Sequence, residues 1–359
     1  MDDDMCDRCG NTHKNLMEAS RRGFLKSGAM AAAGLALPAG LAGLFGAKGA
    51  AAAGMTTLKA THGAGLCNLG IFIAKERELA AEDGVEIDFV VTPTTTDVVT
   101  LFGAGMVDIS VIPYSNFITL VDQGAPVKMV AGAGAEGCIL IGRDGISSPE
   151  DLKGKTIGTF QADTLEVLPY DYLAKAGVPF NEATIRYFNT SPEMAAAFIN
   201  GGIDAVCHIE PYATQCLEGR EGATVLSDGI DLYGPGYADC VLAARTPLIE
   251  ENPEAVKAVI KAMMTAQKQI EADTATALEE TVGTYYKTSL DALKLAQSKQ
   301  PVMIDQRQNS AFFKERSLSM QKMGYVKNLL PDEALDWSLM EEVIAENPDL
   351  YNSLALKSA

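Results

Sequence analysis

Histidine is nearly absent from this chain: three occur in 359 residues, at positions 13, 62 and 208. Metallohydrolases and histidine-based nucleophilic enzymes depend on clusters of it. No His-Glu-x-x-His, Gly-x-Ser-x-Gly or Walker pattern is present either. Positive charge is short as well. Lys and Arg number 29 against 47 Asp and Glu, a net of −18, so no basic stripe exists to neutralise phosphates and nucleic acid is not a partner. Beyond the first 53 residues the cysteines fall to five, Cys67, Cys138, Cys207, Cys216 and Cys240, with no Cys-x-x-Cys spacing. That excludes a disulfide framework, leaves a single bridge such as Cys207–Cys216 open, and reads most of them as small buried apolar residues. No unbroken apolar run reaches the roughly 20 residues of a membrane span. The candidate from Ala29 to Phe45 contains Pro38 and several glycines.

What the amino terminus does contain is specific. Ser20-Arg21-Arg22-Gly23-Phe24-Leu25-Lys26 is a twin-arginine motif, followed by a weakly hydrophobic Ala/Gly/Leu run and by small residues from Gly49 to Ala53 suited to a signal peptidase. Residues 1–53 are therefore expected to be an export signal read by the twin-arginine (Tat) translocase. Cys6, Cys9 and His13 resemble a fragment of a metal site but lie in the segment to be removed. No metal and no cofactor is expected. Losing this leader takes away six basic and five acidic residues, which leaves a more acidic, soluble chain.

The remainder is organised around Ser148 to Thr164. Ser148-Pro149-Glu150 opens a short helix, Lys155 to Thr159 is a strand, Gln161 to Thr164 is a polar loop, and a helix follows from Leu165. Strand, polar loop and helix N-terminus together place free N–H groups at one spot, where a small polar ligand can sit. The chain says this twice. Residues 58–114 and 155–212 each read strand, polar loop, helix, Gly, strand, turn, helix, Gly, strand, and each ends in an Asp-strand-Pro-Tyr signature at Asp108…Pro113-Tyr114 and Asp204…Pro211-Tyr212. Two parallel α/β lobes facing one another across a cleft are the economical reading, with ligand contacts at the carboxyl ends of the strands. Extended crossings near 138–146 and 238–246 make a two-strand hinge. The predicted first lobe is 55–142 plus 243–359, and the second is 143–242. Ala131 to Gly137 reads as a glycine-rich hinge or ligand-facing loop, and residues 247–359 as helices packed on the first lobe.

The order Asp151-Leu-Lys-Gly-Lys-Thr-Ile-Gly158, Pro192-Glu-Met194, Gly202-Ile-Asp-Ala205 and Glu210-Pro-Tyr212 resembles the periplasmic substrate-binding proteins of ABC importers. Among these it is similar to the nitrate/sulfonate/taurine binders and the thiamine-pyrimidine-precursor binders. The resemblance implies a type II periplasmic-binding-protein fold and a non-enzymatic role in the periplasm. The protein would capture a small organic molecule containing nitrogen or sulfur and deliver it to a permease and ATPase complex. A ligand-presenting sensor subunit and a pyrimidine-precursor-synthase-like enzyme are the alternatives. Carried onto this sequence, the family's ligand loops fall at Cys67 and Asn68; Thr94 and Thr95; Tyr114, Ser115 and Asn116; Gln161, Asp163 and Thr164; and His208, Glu210 and Tyr212. Glu136, Tyr237 and Asp239 flank the hinge. None of these is Lys or Arg and four are acidic, so the expected ligand is neutral or cationic, a nitrogen compound or heterocycle that aromatic rings can hold, rather than an oxyanion.

Overall fold

A computed structural model describes residues 55–90 and 95–358; the expected export signal and Thr94 lie outside the described residues. Both predicted β-α-β-α-β units form. The first runs β1 (Thr56–Ala60), a 3₁₀ turn (Leu66–Asn68), α1 (Leu69–Glu76), β2 (Val85–Phe89), α2 (Thr95–Gly103), β3 (Ile109–Pro113) and α3 (Tyr114–Asp122). β4 (Val127–Ala135) and β5 (Cys138–Gly142) lead to the second, which runs β6 (Thr156–Thr159), α4 (Thr164–Lys175), β7 (Thr184–Tyr187), α5 (Ser191–Ile199), β8 (Ala205–Ile209) and α6 (Tyr212–Gly219). β9 (Thr224–Ser227) and β10 (Ala238–Arg245) follow.

The repeated aspartate has the same task in both units. Asp108 accepts the N–H of Lys59 at 2.8 Å and Asp204 accepts that of Thr156 at 2.9 Å. Each aspartate also donates its own N–H back, to Lys59 O and Thr156 O. The pair of bonds pins the first strand beside the third. In the second unit the sheet order is β7-β6-β8-β5-β9. In the first, β1 pairs parallel with β2, and β10 pairs antiparallel with both β3 and β4. The Asp108 bonds and a 2.6 Å bond from Thr61 N–H to Ser110 Oγ set β1 against β3. The order β2-β1-β3-β10-β4 therefore repeats that of the second sheet.

Strand pairing corrects the expected lobe boundaries. Cys138–Gly142 pairs with β8 and β9 in the second sheet, while Ala238–Arg245 pairs in the first. The chain changes sheet at Glu136-Gly137 and just before Ala238, where Glu136 N–H bonds Tyr237 O at 2.9 Å. The boundaries at 142/143 and 242/243 are thus one strand late, because a crossing strand joins the sheet it enters. A second correction concerns Ala131 to Ala135, which continue β4 instead of forming a loop. Its glycines answer to close packing. A Cβ on Gly134 would lie 2.4 Å from that of Cys67, and one on Gly132 would lie 2.8 Å from Met303 O. The segment 301–304 runs beside β4, with bonds from Gly132 to Ile304 O and from Met303 to Ala133 O.

Separate apolar cores back each sheet. α1 and the helix Pro253–Ala272 cover the first, where Ile71, Phe72, Val259, Ile260 and Met263 are buried together. Ile139, Ile157, Leu168, Phe198 and Val206 fill the second. A third cluster joins α2, α3 and β10 to Phe313 and Met320 of the helix Ser310–Met323, and it includes Val167 of α4. That helix thus touches both units. Its Arg316 is ion-paired with Asp171 of α4, and its neighbour Tyr325 bonds Glu166 at 2.9 Å. No described helix is long and apolar enough to cross a membrane.

Candidate functional site

The loop after β1 lies against the end of β8. Leu66 N–H bonds Glu210 O at 2.9 Å, and Gly65 sits so near Ile209 that a Cβ would come within 2.9 Å of its side chain. The two units meet here. Further along the same seam, a cavity of about 350 Å³ opens between Val99, Thr100 and Gly103 of α2, Asn116, Thr119 and Gln123 beside α3, and the loop Gln161-Ala162-Asp163. It brings together three residues expected at the site, Asn116, Gln161 and Asp163, from opposite units. Val99, Thr100, Thr119 and Gln123 were missed, because they lie on helix faces one or two turns past the strand ends. A polar stripe of Asn116, Thr119 and Gln123 at helical spacing was the signal available.

Asp163 is also the N-cap of α4. Its Oδ1 accepts the N–H of Leu165 and the hydroxyl of Thr164, both at 3.1 Å. The dipole end, which would otherwise favour an anion, therefore already holds a carboxylate of the chain. Burial pushes the Asp163 carboxyl up to about 7, and the nearby Asp239 adds to the rise. By contrast α3 begins after Pro113 with no side-chain cap, and Ser115 Oγ is buried with no hydrogen-bond partner among the described residues.

Behind Asp163 lies a buried floor centred on Asp239. Its carboxylate accepts from Thr164 Oγ1 at 3.2 Å, Cys138 Sγ at 3.3 Å, Cys240 Sγ at 3.1 Å and Gln300 Nε2 at 2.9 Å. Cys67 Sγ stands 2.7 Å from Cys240 Sγ. Burial raises the Asp239 carboxyl above the usual range, against the pull of these donors, and pushes the Cys67 thiol up to about 12. Neither Asp163 nor Asp239 has an ion-pair partner among the described residues. Asp239 and Cys240 are sequence neighbours, which on a regular strand would face opposite sides. A register shift between Ala238 and Cys240 leaves Asp239 without a partner on β4, and this bulge turns both side chains to one spot. Cys67, Asn68 and Thr164 of the expected set join this floor: Asn68 Nδ2 bonds Cys67 Sγ at 3.3 Å. Cys138, Cys240 and Gln300 were not anticipated. No short-range pattern marks a bulge, and Gln300 comes from the tail.

The other expected residues have partners inside the protein. His208 is fully buried, with Nε2 3.0 Å from Ser191 O and Nδ1 accepting the N–H of Ile209 at 2.9 Å. Its ring stacks on Tyr212, and burial lowers its pKa to about 4. Glu210 accepts from the N–H and hydroxyl of Thr214 at the start of α6 and pairs with Lys299 at 3.3 Å. Glu136 accepts the N–H of Gly236 at 2.7 Å and so fastens the crossing. The Tyr237 hydroxyl bonds Asp228 O at 2.9 Å, and Tyr114 is buried edge-on against Phe312. Thr95 opens α2.

Two similar α/β units, a double crossing and a seam carrying the polar residues define a two-lobed binding-protein fold. Comparisons with known proteins agree. The ligand-binding component of an ABC-type import system from Staphylococcus aureus superposes with a TM-score of 0.70 at 15% identity, covering 80% of this chain and 99% of that one. The periplasmic aliphatic sulphonate binding protein of Escherichia coli gives 0.67 at 19%, covering 79% and 92%. At these identities the likeness establishes the periplasmic-binding-protein fold. The family model described as NMT1/THI5 like matches residues 68–277, and the chain belongs to that family. A putative binding protein of Brucella abortus is 27% identical over 195 residues, 54% of this chain and 60% of its own. The 4-amino-5-hydroxymethyl-2-methylpyrimidine phosphate synthase of Schizosaccharomyces pombe is 27% identical over 210 residues, 55% and 60%. A formylaminopyrimidine-binding protein of Halalkalibacterium halodurans is 22% identical over 198 residues, 54% and 59%. The matched region spans about 60% of the length of these relatives.

Proposed function

We propose that this protein captures a small neutral or cationic nitrogen compound, a heterocycle of aminopyrimidine type, in the cavity between α2, α3 and the loop 161–163. It then delivers the ligand to an ABC importer after twin-arginine export of the chain into the periplasm. One observation carries the ligand class. The α4 N-terminus at the cavity is capped by Asp163, a second carboxylate lies behind it, and no cationic side chain lines the cavity among the described residues. An oxyanion needs cationic groups or free helix N–H groups, and on this side it would meet a carboxylate instead. A protonated or donor-rich ring nitrogen suits the same spot. Two relatives whose names carry pyrimidines support the choice. The S. pombe relative is the reason to keep an enzyme as the second reading.

A thermal-shift screen of amines, pyrimidines, sulfonates and inorganic oxyanions against the chain without residues 1–53 tests this, with native mass spectrometry of each hit. Ligand at about 100 times its dissociation constant should stabilise by about 2.7 kcal/mol. Amines or heterocycles should shift the melt and be recovered unchanged. Binding confined to nitrate or alkylsulfonates overturns the ligand class, and turnover of a hit overturns the capture role.

A further inference from the structure

The floor beneath the cavity has more chemistry than ligand capture uses. We propose that Cys67, Asp239 and Cys240 form a binding site for a zinc-type divalent ion. This goes beyond the capture reading and does not depend on which organic ligand is bound. One Sγ, one Sγ and one carboxylate oxygen, all buried, lie within 4.8 Å of one another. Two thiolates and a carboxylate suit a borderline ion in tetrahedral geometry. Cys138 Sγ lies outside that group and holds Asp239 Oδ1 at 3.3 Å from the far side.

Three features favour an ion over the other outcome for a close pair of thiols, a Cys67–Cys240 disulfide. Asp239 is a buried carboxylate with no cationic partner among the described residues, and a divalent ion supplies the missing positive charge. A disulfide would take the Cys240 proton that Asp239 now accepts and leave the carboxylate with fewer donors. The outer contacts are also those of a metal site: Gln300 Nε2 holds Asp239 Oδ2 at 2.9 Å, and Asn68 Nδ2 reaches Cys67 Sγ at 3.3 Å. The β10 bulge serves the same end by bringing adjacent residues to one point. On binding, the two thiols release their protons to solvent. Their sulfurs part from 2.7 Å to the roughly 3.8 Å that two thiolates take on one zinc. Cys138 begins β5 in the second sheet, while Cys67, Asp239 and Cys240 belong to the first. The site therefore reaches the second unit through the Cys138–Asp239 hydrogen bond.

Cobalt titration of the reduced, metal-free full chain carrying Cys6→Ser and Cys9→Ser, which removes the leader thiols, tests this. One equivalent of Co²⁺ should give an intense thiolate-to-cobalt band and the visible bands of tetrahedral cobalt, all abolished by one equivalent of Zn²⁺. Cys67→Ser and Cys240→Ser should each remove the thiolate band or sharply weaken it. Gln300→Ala should lower affinity about 10- to 100-fold, and Cys216→Ser, on α6, should leave binding unchanged. Absence of the band in this parent chain overturns the proposal whatever the further variants do. So does a band that survives in both Cys67→Ser and Cys240→Ser while their melting curves show them folded. The organic-ligand screen on metal-free protein is read separately, so either reading can fail alone.

Discussion

The helices α3 and α4 face the cavity from opposite units, yet their N-termini are finished differently. α4 carries its own cap, Asp163, and is held from behind by the tail, where Arg316 pairs with Asp171 and Ser319 bonds the same carboxylate at 2.7 Å. α3 follows Pro113 with no side-chain cap, leaves Ser115 Oγ unpartnered among the described residues, and meets the tail through aromatic edges such as Tyr114 against Phe312. Two units of one topology have thus divided the labour. The second unit presents a self-satisfied, acidic wall, whereas the first presents an uncapped helix start whose Ser115 hydroxyl is buried just behind the cavity-lining Asn116. A ligand held between them would accept hydrogen bonds from the α3 side and offer protons or positive charge to the α4 side.

The largest expected effect comes from removing the hold on α4. The Arg316 and Asp171 side chains are 12% and 14% exposed, and truncating one partner of such a pair leaves the other uncompensated. Arg316→Ala should cost about 3 kcal/mol, because the Tyr233 and Ser319 hydroxyls still satisfy part of Asp171. Urea melts would measure it. A loss near that of an exposed ion pair, below about 1 kcal/mol, would mean that α4 stands without the tail and that the two helices are more alike than their contacts indicate.

This contrast was only partly legible in the sequence. Asp163-Thr164 could be read as a helix start because an acceptor side chain before a helical run has one local role. The aspartates at 108 and 204 stood out because the same pattern came twice. Arg316 and Gln300 could not be placed, since each acts more than 60 residues away on elements that only the finished fold brings near. The Asp239–Cys240 bulge was hidden for another reason. Strand periodicity assigns neighbours to opposite faces, and a single inserted residue reverses that rule without changing the composition. The glycines of β4 misled in the opposite direction. Their cause is the approach of Cys67 and Met303, a tertiary demand that resembles a loop when read locally.

The second way to sharpen the comparison is to remove the charge of the α4 cap and keep its shape. In the folded chain the Asp163 carboxyl titrates at about 7, against about 3.9 for an unfolded Asp. The folded state holds this proton more tightly, so the group's contribution to stability is fully present below about pH 4 and is lost as pH rises through 7. Asn can still cap the helix but does not titrate. The difference in unfolding free energy between wild type and Asp163→Asn should therefore be flat below pH 4. It should then fall steadily for the wild type between pH 4 and 7. A cationic ligand should show the converse, binding the wild type more tightly as pH rises through 7 and binding Asp163→Asn with no such gain. A pH-independent difference in both measurements would remove Asp163 from the cavity's electrostatics.

The smallest effect on stability, and the one most specific to function, is expected at the open end. Ser115 Oγ is buried and forms no hydrogen bond to any described residue. Removing such a hydroxyl takes away a desolvation cost along with little packing. Ser115→Ala should leave the melting temperature of the free protein unchanged or slightly raised, a shift of about 1 kcal/mol at most. If this hydroxyl is the donor that the first unit reserves for ligand, the same variant should bind a screen hit about 5- to 10-fold more weakly, the worth of one hydrogen bond. Destabilisation of the free protein with unchanged ligand affinity would give Ser115 a structural role. The open character of α3 would then rest on its backbone N–H groups, which a side-chain substitution does not remove.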